Sequence, residues 1–444
     1  MSVEEFGVIS IFQAILIFLA PLLSLSLSDS VARFYNDWLE NERGRSISSI
    51  WSLSIIIGFV LCILLSLFGH RVDLFFFENV KFKNLWLVIV GTLFFNNLSL
   101  IPTVVIKAEQ RIRLFNTLTF LSFVVSTTFS FVCIIIFKQG ALGYIYGTCI
   151  TSGIFGIYYA HFIYKKYGFY LDFSLIRKPF KYSLPLLPSA IIDNFFNSAD
   201  RFILNRFFGL STVGLYDLAN RLSSSIGSVN QALKSVWVPL IFAETSSHSS
   251  KQGPEVYSRL SFLYVCFMIF IGMGFYLFSD LLVLIFDDTG KFQAVLQYLP
   301  FLIIIYVIQS ISTALGRGID IAKRTNFSAI VPLAGLIVFL GLVFFFKTHL
   351  TFSVFLIILV GANLFRSLIQ IYFSYAFYPR PVYYIKYLLL FSAIALAVIF
   401  TSLNKEDTLW IRMFLNFFIY LSFTTSVVAI ACDGQLTKLK QLYK

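Results

Sequence analysis

Charged side chains interrupt an apolar segment, residues 183–240, that is otherwise suited to a lipid bilayer. The charged residues of the segment are Asp193, Asp200, Arg201, Arg206, Asp217, Arg221 and Lys234. A charge at the centre of a bilayer costs roughly 2.5 kcal/mol or more, so such residues usually face a bundle interior or a water-filled cavity. The chemistry that they indicate is the binding of a charged ligand or the carriage of an ion.

Helical spacing gathers these polar residues into two stripes, because side chains four positions apart share one face of a helix. In a helix over 183–207 the stripe is Asp193, Asn197, Arg201 and Asn205. In a helix over 212–241 it is Asp217, Arg221, Ser224, Ser228, Gln231 and Ser235. Two neighbouring spans that each carry a polar stripe indicate a wet, polar interior.

The basic residues of and beside the stripes predict an anionic ligand, since there are more of them than one structural contact needs. Arg201, Arg221 and Lys234, together with Asn197, are therefore predicted to line a substrate cavity. Arg33, which ends the first span, is a further candidate because a guanidinium can bind two phosphate oxygens at once. The alternative for Arg33 is an anchor at the membrane surface, which is the commoner role of an arginine at a helix end.

The acidic residues of the segment 183–240 have two interpretations. Asp193, Asp200 and Asp217 are candidates for coupling transport to a proton or sodium gradient. They could equally hold helices together, because Asp217 precedes Arg221 by four residues and Asp200 has Arg201 and Arg206 nearby. The sequence leaves both interpretations open.

The helices that must position these residues follow from the composition. The chain is 58% apolar and 13% charged and contains 53 Phe, whereas soluble domains average about 45–50% apolar and about 25% charged. Apolar runs near the ~20 residues of a transmembrane helix recur throughout, and the short alternating segments of a β-barrel are missing. We predict an all-α polytopic membrane protein of about thirteen transmembrane helices. These spans are near 7–29, 48–69, 85–106, 117–137, 141–163, 183–207, 212–241, 259–285, 293–315, 326–346, 352–374, 384–403 and 409–431.

Several classes of function are excluded by the same pattern. The 5 cysteines are scattered without metal-ligand spacing, and no Walker, nucleophile-elbow or dinucleotide motif occurs. Every polar segment is short, so no soluble catalytic domain, and hence no ATPase, is predicted. We expect neither a cofactor nor a metal. The net charge of +12 is attributed to basic cytoplasmic loops rather than to nucleic-acid binding.

The distribution of Lys and Arg predicts orientation. Most of them lie in one alternate set of connections, including the C-terminal tail, which places that tail in the cytoplasm. Thirteen spans would then put the N-terminus outside, yet residues 1–7 have no signal-peptide features. A short repeat aligns residues 6–13 with 213–220, and a full span precedes only the second copy. We therefore expect the first helix of the first repeat to be missing.

Three motifs carry a family resemblance. They are Leu184-Pro-Leu-Leu-Pro188, Asn197-Ser-Ala-Asp-Arg-Phe-Ile-Leu204 and Gly209-Leu-Ser-Thr-Val-Gly-Leu-Tyr216, supported by Phe6-Gly7 and Leu27-Ser-Asp-Ser-Val-Ala-Arg-Phe-Tyr35. They resemble Wzx-type polysaccharide and O-antigen flippases of the multidrug/oligosaccharidyl-lipid/polysaccharide exporter superfamily. The resemblance implies two six-helix lobes around a central cavity. Carried onto this sequence, the lobes are 1–181, with five spans, and 182–375, followed by two additional spans in 376–444.

The resemblance also implies a function. The expected cargo is a polyprenyl-pyrophosphate-linked oligosaccharide, moved across a bacterial inner membrane without enzymatic chemistry, with membrane lipid, polysaccharide polymerase and chain-length proteins as partners. A multidrug or cation antiporter of the same superfamily is the alternative, but its cavity should favour acidic residues. A membrane polymerase or glycosyltransferase should carry longer external loops than this sequence offers, and an inert truncated remnant is the last alternative.

Overall fold

The computed structural model describes residues 2–67, 85–247, 252–286, 294–322, 324, 327–403 and 409–432. Within these ranges the chain is helical between short turns and has no strand. The helices are α1 (Val3–Ser24), α2 (Leu27–Phe34), α3 (Glu40–Leu67), α4 (Leu85–Ala108), α5 (Ile112–Ile135), α6 (Ala141–Tyr167), α7 (Phe173–Ser183), α8 (Leu187–Ser247), α9 (Gln252–Leu277), α10 (Ser279–Phe286), α11 (Val295–Leu315), α12 (Gly318–Ile321), α13 (Phe327–Phe345), α14 (Phe352–Phe377), α15 (Tyr384–Leu403) and α16 (Leu409–Cys432).

The predicted all-helical membrane fold is confirmed. Eight helices in the described ranges are long and apolar enough to cross a membrane, and two shorter apolar helices cover Ile330–Phe345 and Leu415–Ile430. The remaining predicted spans fall on α6 and on the two parts of α8. The protein is a multi-pass membrane protein.

Helix α8 contains a sharp break. Gly209 has φ 80° and ψ 172°, which divides the element into helical segments over 187–208 and 210–247. Glycine suits this position because an L side chain rarely adopts a positive φ. The break matches the predicted boundary between the spans 183–207 and 212–241.

The predicted span 7–29 is divided in a way that the hydropathy pattern does not show. Helix α1 ends at Ser24, and Leu25 and Ser26 both have positive φ, of 45° and 53°. Left-handed backbone costs roughly 1–2 kcal/mol for a residue with a side chain, so packing must impose this turn. The short helix α2 follows and carries Arg33.

The chain divides into two compact units, Met1–Gly214 and Leu215–Lys444. In the first unit α4 packs on α3 and α6, and α5 packs on α6. In the second unit α11 packs on α9 and α14, and α13 packs on α14, which repeats the same order of neighbours. The predicted lobes 1–181 and 182–375 and the extra pair in 376–444 remain a prediction.

The two copies of the sequence repeat meet within the first unit. A Cβ on Gly7 would overlap the carbonyl oxygen of Leu210, and a Cβ on Gly214 would overlap that of Val3. Val3 and Leu210 each lie three residues before a copy of the repeat, and Gly7 and Gly214 are equivalent positions within it. This reciprocal contact is what a local two-fold axis between two equivalent helix starts produces.

Candidate functional site

Arg201 ties the first half of α8 to α1. Its Nε donates to Ser10 Oγ over 3.1 Å, and its Nη1 donates to the carbonyl oxygen of Asn197 over 3.1 Å. The carboxylate of Asp200 lies 3.5 Å from Nη1 and accepts the backbone N–H of Arg201 over 2.8 Å. Only 11% of the Arg201 side chain is exposed, so this arginine is a packed element of the helix pair.

The rest of the first polar stripe is divided between packing and exposure. Asn194, which flanks the stripe, donates from Nδ2 to the carbonyl oxygen of Ile17 over 2.8 Å. Asn197 is exposed and Asp193 is half-buried. Of the predicted stripe, the position nearest Arg201 that remains open to a ligand is therefore Asn197.

Arg221 is held differently. Its Nε donates to Asp217 Oδ2 over 2.7 Å, one helical turn away, as the sequence predicts. The Asp217 side chain is 1% exposed, whereas that of Arg221 is 38% exposed. A buried carboxylate thus orients an arginine whose side chain is partly exposed.

Further polar residues of the second unit were missed by sequence reasoning. Asn220 accepts a hydrogen bond from Tyr306 of α11 over 3.0 Å, and Gln309 of α11 donates to Asn363 of α14 over 3.2 Å. Arg366, also on α14, packs its aliphatic stem against Gly335. Amides and an arginine inside apolar runs are the signal that could have found these residues.

The other two predicted cations, Lys234 and Arg33, differ in their surroundings. Lys234 is half-buried and interacts electrostatically with Arg317 and Asp320. Arg317 and Asp320 form an ion pair with each other over 2.9 Å. Arg33 is exposed on α2, pairs with Asp37 over 3.1 Å and lies over the ring of Phe34. The surroundings of Arg33 fit the anchor interpretation, and phosphate contact there remains a prediction.

The repeat extends to polar contacts. Ser10 and Asp217 are equivalent, and each accepts from an arginine. Gln13 and Asn220 are equivalent too, and each binds a tyrosine hydroxyl: Gln13 Nε2 lies 2.7 Å from that of Tyr144. Within the described ranges, no group of three His, Cys, Asp or Glu residues is arranged to hold a metal ion.

Comparison of the fold with solved structures gives the class. Lipid II flippase MurJ in an inward closed conformation superposes with a TM-score of 0.75, at 14% identity over 97% of this chain and 94% of the other. A multidrug resistance MATE family transporter of the MOP superfamily gives 0.69, at 13% identity over 84% and 90%. A MOP transporter from Pyrococcus furiosus, described as having a binding pocket of reverse polarity, gives 0.58, at 14% identity over 84% and 86%. The fold is that of MOP-superfamily transporters.

Comparison of the sequence gives the family. A model of the family described as "Polysaccharide biosynthesis protein" matches residues 1–287. The chain belongs to this family. No curated protein sequence matches it.

Proposed function

We propose that the protein is a flippase for polyprenyl-pyrophosphate-linked oligosaccharides, such as O-antigen or capsule repeat units, in a bacterial inner membrane. Membership of the polysaccharide biosynthesis family and the likeness to a lipid II flippase support this class of cargo. Within this family, the motifs that resemble Wzx-type proteins support the role of a flippase for such cargo. The C-terminus is cytoplasmic, and polymerase and chain-length proteins are the expected partners.

The observation that carries the proposal is the Asp217–Arg221 pair. The guanidinium is oriented by a buried carboxylate yet is 38% exposed, so it can meet a ligand without reorganising. Arginine suits a diphosphate because its planar fork binds two oxygens at once. Lys234, which is half-buried, is a second candidate cation of the same unit, and Asn197 remains a candidate cavity residue on its own account. The polyprenyl tail stays in the bilayer during passage.

Arg201 has a positioning role in this proposal. Its burial and its bonds to Ser10 and to the backbone of Asn197 fix the helix that presents the amide of Asn197. Asp193, Asp200 and Asp217 remain the candidate carriers of a coupling proton or sodium ion. No covalent bond is made or broken, since the cargo only changes leaflet.

The competing function is a multidrug or cation antiporter, which the MATE likeness brings forward. A cationic cargo needs an accessible carboxylate. Asp217 is almost fully buried against Arg221, and Asp200 is buried beside Arg201. This burial favours the anionic cargo.

Deletion of the gene tests the proposal. Surface polysaccharide should disappear while lipid-linked repeat units accumulate at the inner leaflet, and the intact gene should restore both. Arg113→Gln, an exposed arginine at the start of α5, serves as a control that should also restore them. Unchanged surface polysaccharide together with lost resistance to cationic drugs would instead establish the antiporter.

A further inference from the structure

A second polar cavity lies inside the first unit, apart from the Arg201 contacts. Its volume is about 650 Å³, and it is built by the start of α3, the α4–α5 turn and the end of α6. The charged residues that line it are Glu40, Arg43, Arg45, Glu109, Arg111 and Lys166. Cations outnumber acids in this set, so the cavity is positive at neutral pH.

Glu109 organises the basic residues. Its Oε1 accepts from Lys166 Nζ over 2.5 Å and from the Tyr167 hydroxyl over 2.7 Å, and its Oε2 lies 3.1 Å from Arg111 Nε. Burial alone would raise the pKa of Glu109. The hydrogen bonds from Lys166 and Tyr167 and the charges of Lys166 and Arg111 outweigh burial and lower that pKa. The carboxylate is therefore ionised, and it is already engaged.

Arg43 is the basic residue of the cavity that has a buried donor without a hydrogen-bond partner. Its Nη2 donates to the carbonyl oxygen of Trp38 over 3.2 Å, and its guanidinium lies 4.9 Å from the ring centre of Tyr35. Its Nε is buried and has no hydrogen-bond partner. An unsatisfied buried donor costs about 1–3 kcal/mol, and more when it is charged. An anion in the adjoining cavity would offset that cost.

Arg45 extends the same arrangement. Its guanidinium lies 5.9 Å from the ring centre of Tyr170, which also lines the cavity. A guanidinium within about 6 Å of an aromatic ring centre is attracted to the ring, which restricts where the arginine side chain lies. Two such arginines in one cavity form a site for an anion with several oxygens.

We propose that this cavity binds a phosphate group, carried either by an anionic phospholipid or by a soluble phosphate compound. A phosphate presents enough acceptors for Arg43 and Arg45 together, and its charge offsets the excess of cations. The site is independent of the cargo proposed above, since it uses none of the same residues.

The test measures binding to the purified full-length protein in nanodiscs of phosphatidylcholine. Phosphatidylglycerol is titrated into the membrane in one arm, and inorganic pyrophosphate into the buffer in the other, with the unfolding temperature as readout. Either probe should raise the unfolding temperature. Arg43→Gln should weaken the apparent affinity of the protein for the probe about tenfold, as expected for the loss of one charge-assisted hydrogen bond. Arg113→Gln is the matched control.

The two arms identify the source of the phosphate. A response to phosphatidylglycerol alone assigns the site to a lipid head group, and a response to pyrophosphate assigns it to a soluble compound. If Arg43→Gln does not fold, the exposed Arg45→Gln takes its place. The proposal is overturned if neither probe acts, or if the arginine variants respond as Arg113→Gln does.

Discussion

The two copies of the internal repeat, residues 6–13 and 213–220, each receive an arginine at the same position, but the acceptors differ. In the first copy Ser10 accepts from Arg201, which comes from α8 and is buried with its neighbour Asp200. In the second copy Asp217 accepts from Arg221 on its own helix, and that arginine is exposed. The hydroxyl of Ser10 is a neutral hydrogen-bond acceptor for its arginine. The carboxylate of Asp217 accepts a hydrogen bond and also neutralises the charge of its arginine.

Arg201 and Arg221 have different tasks, although the sequence predicts the same cavity-lining role for both. Arg201 uses its donors in packing and holds a helix pair, while Arg221 is oriented by Asp217 and has a side chain that is 38% exposed. What the copies share is geometry: the close approach of Gly7 and Gly214, and the amide–tyrosine contacts of Gln13 and Asn220. Under the proposed function, the second copy is the one adapted to a ligand.

The largest expected effect comes from neutralising each pair as a unit. Removing both charges avoids leaving one of them buried alone, which would cost about 3–5 kcal/mol. Asp217→Asn with Arg221→Gln should reduce restored surface polysaccharide at least about a hundredfold, since a bidentate phosphate contact contributes about 3 kcal/mol.

Asp200→Asn with Arg201→Gln should instead lower the amount of protein in the membrane and its unfolding temperature. The activity of each molecule that does fold should fall less than in the Asp217→Asn, Arg221→Gln protein. Quantitative immunoblots normalise the polysaccharide measurement. Equal losses of specific activity in the two double variants would remove the distinction between the copies.

The next effect tests the contact that the copies share. Gly7→Ala and Gly214→Ala should each destabilise the protein by about 1–3 kcal/mol, because the added methyl group meets backbone that cannot move aside. Gly341→Ala in α13 is the control, since nothing lies within 4 Å of its added Cβ. Thermal unfolding in detergent measures all three. If Gly7→Ala matches Gly341→Ala, the helix starts do not approach this closely.

The smallest effect concerns the tyrosine contacts. Tyr144→Phe and Tyr306→Phe each remove one hydrogen bond to a repeat amide, worth about 1 kcal/mol. Both should lower the unfolding temperature slightly and to a similar extent. Adding Asn220→Leu to Tyr306→Phe should cost less than the sum of the two single changes, because the pair is lost together. Strict additivity would show that the contact is not made.

Much of the fold could be predicted because apolar length and helical period are local signals. These two signals predicted where the helices lie, and the break at Gly209 falls at the predicted boundary within α8. The break at Leu25 and Ser26 could not be predicted, since neither residue favours a positive φ and the turn is imposed by packing. The sequence likewise predicts the Asp217–Arg221 pair, whose members are one turn apart.

The contacts between distant helices could not be predicted. The bonds from Arg201 to Ser10 and from Tyr306 to Asn220 join residues that no periodic pattern relates. From the sequence, Arg43 and Arg111 are known only as basic residues of the connections on the predicted cytoplasmic side. The cavity that they share results from tertiary packing. Burial, which distinguishes Arg201 from Arg221, is also a property of the folded protein.

Reconstituted transport tests the central claim most directly. Purified protein in proteoliposomes should move a fluorescent polyprenyl-diphosphate oligosaccharide between leaflets, as measured by loss of access to an added glycosidase. The Asp217→Asn, Arg221→Gln protein, reconstituted at equal density, should be no faster than empty liposomes, while Asp200→Asn, Arg201→Gln should remain measurably faster than empty liposomes. Equal transport by the wild-type and Asp217→Asn, Arg221→Gln proteins would contradict the account.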